Sequence, residues 1–163
     1  MEEGSAFINK ETIIINDIIN EIGKELDIIP DEDAITLHTN FNSEVRINGN
    51  ISLIGSIFRN LTENAIVYSE GKNIYISLIE NNDRMCHIRF EDDGKGVNNE
   101  ELPHLFERFY RVDKGRSRKK GGTGLGLAIV KHAVQFHGGR ISICNRPDGG
   151  LRFDFTLCKQ SNV

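Results

Sequence analysis

Residues 107–139 read ERFYRVDKGRSRKKGGTGLGLAIVKHAVQFHGG. The segment changes character twice. Aromatic residues alternate with arginine at its start, in Phe106-Glu107-Arg108-Phe109-Tyr110-Arg111. Seven basic residues between Arg108 and Lys120 then face one acid, Asp113. After them come glycines spaced as G-x-G-x-G, Gly122-Thr123-Gly124-Leu125-Gly126. Glycines there let successive backbone N–H groups face an anion, and a helix starting behind them adds the favourable end of its dipole. Helical spacing predicts that helix from about Leu125 to Phe136, with Gly138 and Gly139 past its C-terminus. The spacing is neither G-x-G-x-x-G nor G-x-x-x-x-G-K-S/T, so the two common dinucleotide and P-loop readings are excluded. A guanidinium at Arg111 is suited to phosphate oxygens, which it can grip with two parallel N–H bonds.

Outward from this segment, the charge is uneven. The 163-residue chain carries a net charge of −4. Residues 1–101 hold 8 basic and 20 acidic groups, and residues 102–163 hold 12 basic and 4 acidic ones. A local basic cluster on an acidic chain fits a small anionic ligand; a nucleic-acid face usually makes the whole domain basic. The three cysteines, Cys86, Cys144 and Cys158, are widely spaced with no C-x-x-C pair. That argues against a disulfide framework or zinc site and suits a reducing cytosol. No run approaches the about 20 apolar residues of a membrane helix, and MEEGSAF lacks the pattern of a signal peptide.

Upstream, FINKETIII (residues 7–15) reads as a strand, and Asn16 or Asp17 as the cap of a helix reaching about Leu26. Residues 34–39 alternate as a strand, followed by a turn near Gly49. A helix is expected from Ile51 to Tyr68. NIYISLIE and MCHIRFE read as adjacent antiparallel strands. Residues 98–123 exceed an ordinary connector, and ordered loops of that length are commonly functional. The stretch RISICNRPDGGLRFDFTLC reads as two strands around a Pro-Asp-Gly-Gly turn. This order predicts an α+β fold, a two-layer sandwich whose mixed, mostly antiparallel five-stranded sheet is covered by about three helices on one face.

Two further constellations carry chemistry. Asn60 and Asn64 stand four residues apart, so both amides leave the helix on one stripe. An amide oxygen there suits a magnesium ion already held by phosphates. Asp92-Asp93-Gly94-Lys95-Gly96-Val97 follows a strand directly. A carboxylate at that strand end can accept from an exocyclic amine, and Gly94 and Gly96 permit close approach of a flat base.

Taken together, NLTENA, DDGKG, LFERFYR and GGTGLGLAIV resemble the N, G1, F and G2 boxes of the catalytic, ATP-binding domain of two-component sensor histidine kinases. That family shares the Bergerat fold with gyrase, Hsp90 and MutL. The resemblance runs from about Phe7 to Leu157. It implies a domain at 7–159 with an ATP lid at about 98–123, residues 1–6 being a linker end or cloning remnant and 160–163 a tail. By the same resemblance, Asn64 is the magnesium-binding and catalytic amide, with Asn60 near the phosphates. Asp92 binds the adenine amine, while Gly94, Gly96, Val97 and Tyr68 shape the nucleotide pocket. Arg111 approaches the terminal phosphate, and Gly122, Thr123, Gly124, Leu125 and Gly126 wrap the phosphate chain. The cofactors implied are ATP and Mg2+.

Departures from the family pattern sharpen the expectation. Asn60 stands where ATP-hydrolysing relatives and serine kinases carry a glutamate base, so poor intrinsic hydrolysis is expected, with Glu63 pointing elsewhere on the helix. Val67 replaces a common phosphate-touching lysine or arginine, and Asp93 a common asparagine, with only a modest effect expected if Asp93 points outward. None of His38, His87, His104, His132 and His137 begins the family's H-E/D-x-x-x-P acceptor pattern. The chain is therefore expected to be a cytoplasmic piece of a longer kinase. It would pass phosphoryl to a separate dimerisation/phosphoacceptor domain of that kinase and only indirectly to a response regulator, with no nucleic-acid or membrane contact. A degenerate partner-binding module, or a stand-alone ATPase or serine kinase of the same fold, is the alternative.

Overall fold

The computed structural model describes residues 9–112 and 124–160. Strand β1 (Glu11–Ile14) leads directly into helix α1 (Ile15–Asp27). Strands β2 (Thr36–Asn40) and β3 (Arg46–Gly49) precede helix α2 (Ile51–Asn64), which continues as a π-helical turn over Ala65–Ser69. Strands β4 (Asn73–Asn81) and β5 (Met85–Asp92) follow, then helix α3 (Gly126–Phe136) and strands β6 (Ile141–Asn145) and β7 (Leu151–Cys158). The main sheet has the order β2-β4-β5-β7-β6, with β2 parallel to β4 and the other pairs antiparallel.

Period-two alternation decides which side of the sheet each residue serves. On β5, Cys86, Ile88, Phe90 and Asp92 are buried; on β7, Leu151, Phe153, Phe155 and Leu157 are. They meet Ile54, Ile57, Phe58 and Leu61 of α2 and Val130, Ala133 and Val134 of α3 in one core. Phe58 packs edge-on against Phe155, with ring centroids 5.8 Å apart. The opposite sheet face carries ion pairs such as Arg89–Asp154 at 2.9 Å. Asp92 thus falls at a core-facing position, in line with Phe90, where an apolar residue is expected.

The sandwich agrees with the sequence reading, and the details differ. The strand expected at 7–15 covers only Glu11–Ile14, and Phe7 lies outside the described residues. Ile15 is already helical, and Ile14 occupies the cap position without a side-chain bond. Asn16 instead accepts from the Val45 N–H at 2.9 Å and donates to the Ser43 carbonyl at 3.1 Å, tying α1 to the loop before β3. Strand β3 runs up to Gly49, near which the sequence predicts only a turn. Its four residues signal weakly alone and form a strand by pairing with β1 as a second, two-stranded sheet.

Helix α2 leaves α geometry at Ala65, earlier than Tyr68. The π-helical turn ends at Glu70, whose φ of 61° is left-handed. Residues 98–112 hold one 3-10 turn, Leu102–His104; residues 113–123 of the predicted lid lie outside the described part.

Candidate functional site

A cleft of about 230 Å³ opens between α2, the strand end at Asp92 and the start of α3. Helix α2 and its π-helical turn contribute Asn60, Glu63, Asn64, Val67, Tyr68 and Ser69. The end of β5 contributes Asp92, the loop after it Lys95, Gly96 and Val97, and Leu151 comes from β7. Leu105, Tyr110, Arg111 and Val112 stand on one side of the lid segment, with Gly124, Gly126, Leu127 and Ile129 on the other.

The floor at Asp92 is the most completely built part. Asp92 is only 2% exposed. Its Oδ1 accepts from the N–H groups of Gly94 at 2.9 Å and Leu151 at 3.2 Å. Burial pushes its carboxyl above the ordinary value, against the pull of those two amides. Gly94 does not itself line the cleft. A Cβ there would sit 2.1 Å from the Ser69 carbonyl oxygen, so Gly94 lets the π-helical turn close over the loop. Gly96 has a φ of +67°, a conformation that glycine adopts without penalty.

Asp93 turns away from the cleft. Its Oδ1 accepts from the N–H groups of Lys72 and Asn73, each at 2.8 Å, and its Oδ2 from the Asn73 side chain at 2.8 Å. Partial burial works to raise its pKa, but these bonds, led by the Asn73 amide, hold it below the usual carboxylate range.

The other end is built from amides. Asn60 donates to the Ser56 carbonyl at 2.8 Å, and its Oδ1 lies 3.2 Å from where a Cβ of Gly126 would stand. The start of α3 is thereby brought against α2, and the Gly124 carbonyl accepts from the Phe109 N–H at 2.8 Å across the roots of the predicted lid. Tyr110 hydrogen-bonds Glu101, and this bond pushes its hydroxyl pKa up to about 12.

Among the described residues no group of three or more His, Cys, Asp or Glu side chains could hold a metal. A magnesium ion here would need most of its oxygens from phosphate and water, and the Asn64 amide fits such an ion as one ligand.

The structure therefore brings Asn60, Asn64, Tyr68, Asp92, Gly96, Val97, Arg111, Gly124 and Gly126 to one cleft. Leu125 occupies the cap position of α3 outside the lining, and Gly122 and Thr123 lie outside the described residues. Glu63 was expected to point elsewhere but borders the cleft, three residues from Asn60 and so on the same helical stripe. Ser69 was not foreseen. Its Oγ donates to the Ala65 carbonyl at 2.7 Å and accepts from the Gly71 N–H at 3.0 Å, bonds that belong to the π-helical turn. Leu151 also went unread, since nothing local links it to an aspartate 59 residues away.

The profile of the histidine kinase-, DNA gyrase B- and HSP90-like ATPases matches residues 49–161. The chain belongs to this ATPase family. Within the family it is similar to the catalytic domains of sensor histidine kinases. It is 34% identical over 148 residues to the sensor-like histidine kinase SenX3 of Mycolicibacterium smegmatis, covering 90% of this chain and 38% of that protein. It is 39% identical over 151 residues to the sensor protein kinase WalK of Staphylococcus aureus, covering 86% of this chain and 34% of that one. The chain thus spans little more than a third of the length of these two curated relatives. The ATP-binding domain of PrrB from Mycobacterium tuberculosis superposes with a TM-score of 0.74 at 25% identity, covering 94% of this chain and 99% of that one. The catalytic domain of the histidine kinase ThkA gives 0.77 at 23% identity, with 93% and 97% covered, a likeness of fold. Among the described residues of this ATPase-family chain, no helix is long and apolar enough to cross a membrane.

Proposed function

We propose that the cleft binds Mg-ATP and that the domain passes the terminal phosphoryl group to a histidine on a separate dimerisation/phosphoacceptor domain of the same kinase. The observation that carries this reading is Asp92, a buried carboxylate at a core-facing strand position with one oxygen already anchored by two main-chain amides. Such a group is expensive to bury without a purpose. Its other oxygen is suited to accept from the six-amino group of adenine, with Gly96 and Val97 beside the base.

Asn60, Asn64 and Arg111 would hold the phosphate end, helped by the N–H groups of Gly122, Thr123, Gly124, Leu125 and Gly126. Asn64 would meet a magnesium ion carried by the nucleotide, which would supply charge neutralisation. The histidine nitrogen forms its bond to the γ-phosphorus as the bond to the β,γ-bridging oxygen breaks, and ADP leaves. The domain's part is mainly positioning and electrostatic stabilisation. Asn60, in place of a glutamate base, supports transfer to a partner histidine over hydrolysis. A response regulator would receive the group afterwards from that histidine.

The test is calorimetric titration with a non-hydrolysable ATP analogue, with and without magnesium, on the wild type and Asp92→Ala. Magnesium-enhanced binding that vanishes in Asp92→Ala is the expected result. A folded wild type that binds no nucleotide overturns the reading and favours a degenerate partner-binding module. Steady ATP turnover without a partner would favour a stand-alone ATPase.

A further inference from the structure

The β6–β7 hairpin carries none of the motifs read from the sequence, yet it forms the back of the Asp92 site. Strand β7 pairs with β5 only as far as Glu91↔Arg152, so the ladder stops one residue short of Asp92. The Asp92 carbonyl therefore has no β7 N–H to accept from. The guanidinium of Arg146 takes that place, with Nη1 donating to the Asp92 carbonyl at 2.9 Å.

Arg146 is itself held on several sides. Its Nε lies 3.1 Å from Glu91 Oε2, its Nη1 is 3.4 Å from the Gly149 carbonyl, and its guanidinium stands over the Tyr75 ring at 5.1 Å. Its own N–H closes the turn on Gly150 at 2.8 Å. Gly150, with a φ of +99°, passes so close that a Cβ would meet the Asp92 carbonyl at 2.0 Å. The next residue, Leu151, delivers its N–H to Asp92 Oδ1.

We propose that Arg146 is a positioning residue for base recognition: it fixes the Asp92 main chain, and through it the carboxylate that reads the six-amino group of adenine. The proposal rests on the nucleotide reading above. The physical reason is that a strand's last carbonyl, once out of the ladder, must find another donor. Fixing that carbonyl fixes the peptide plane from which the Asp92 side chain departs. A planar guanidinium fork can hold the Asp92 and Glu91 positions together, which a lysine cannot. Arg146 also adds a cation near Asp92, counteracting the burial and the neighbouring Asp93 charge that disfavour the carboxylate.

The experiment measures dissociation constants for ADP and for purine riboside 5′-diphosphate, which lacks only the six-amino group, on the wild type, Arg146→Met and Arg146→Lys. The wild type should prefer ADP. Arg146→Met should reduce that preference about tenfold, the worth of one charge-assisted hydrogen bond, while analogue affinity stays within about twofold. Arg146→Lys should fall between, and it keeps the test alive if the methionine variant does not fold. Equal weakening of both ligands, or a preference unchanged in either folded variant, overturns the proposal, since a merely structural role predicts the first and no role the second. A wild type that binds both ligands equally well overturns the adenine reading of Asp92 and this proposal with it. Binding of neither overturns the proposed function altogether.

Discussion

The two ends of the cleft are built differently. At the Asp92 end, residues from β5, the loop after it and the β6–β7 hairpin converge, and the carboxylate is buried, anchored and backed by Arg146. At the Asn64 end, most groups come from a single helix stripe, with Arg111 and the start of α3 opposite, and an apolar Val67 where a cation is common in the family. The difference teaches where selectivity and adaptability reside. On the proposed nucleotide reading, a base pocket preformed by the sheet would discriminate with little reorganisation, whereas a phosphate end assembled across the roots of a lid would depend on how those roots approach each other.

Replacing Asp92 should separate binding from stability most sharply. Asp92→Asn keeps an oxygen for the Gly94 and Leu151 amides but loses the charge, and nucleotide affinity should drop more than about a hundredfold by calorimetry. Stability should move the other way. Folding lifts the Asp92 pKa, so the folded chain binds the extra proton between the unfolded and folded values, and this group's contribution weakens as pH rises through that window. The apo unfolding temperature of Asp92→Asn at neutral pH should equal or exceed that of the wild type, with the gap narrowing toward the ordinary carboxylate value of 3.8. A large loss of stability at neutral pH would show that the charge is structural.

Gly94→Ala should come next. Its Cβ would collide with Ser69 backbone, and the shift needed should cost roughly 1–3 kcal/mol in denaturant unfolding, with nucleotide binding impaired as well. A fully stable variant would mean that the π-helical turn gives way easily. At the other end, Val67→Lys should strengthen ATP binding roughly three- to tenfold while leaving adenosine binding unchanged. No gain would mean that the basic residues between Arg108 and Lys120 already serve that position.

The smallest effect lies away from both ends, at His137. It is 6% exposed, donates from Nδ1 to the Ala133 carbonyl at 2.7 Å and accepts on Nε2 from the Asn50 N–H at 3.1 Å. Burial holds its pKa below the ordinary 6.5. The neutral ring is the folded form, so its contribution is complete above about 6.5 and is lost as pH falls below that toward the folded value. The unfolding temperature should decline over that range, and His137→Gln should flatten the decline. An unaltered slope would place the acid sensitivity elsewhere.

The sequence by itself determined the elements with strong periodicity and the residues that short spacing brings together. Asn60 and Asn64 share a stripe because helical residues four apart do so in any context. Gly138 was placed past the end of its helix and Gly96 at a close turn because glycine takes left-handed backbone without cost, and both have positive φ. The strand read in MCHIRFE ends directly before Asp92, which put a carboxylate at the strand end.

Tertiary structure alone decided the rest. Four residues of β3 form a strand only because β1 lies beside them. Leu151 and Arg146 serve Asp92 from more than fifty positions away because the hairpin glycines let β7 begin against the end of β5. The residues flanking the π-helical turn were named from the sequence, but its geometry depends on Gly94 making room for Ser69. Local pattern encodes which way a side chain leaves its own backbone; which distant backbone it meets is settled only when the layers pack and every buried polar group must find a partner.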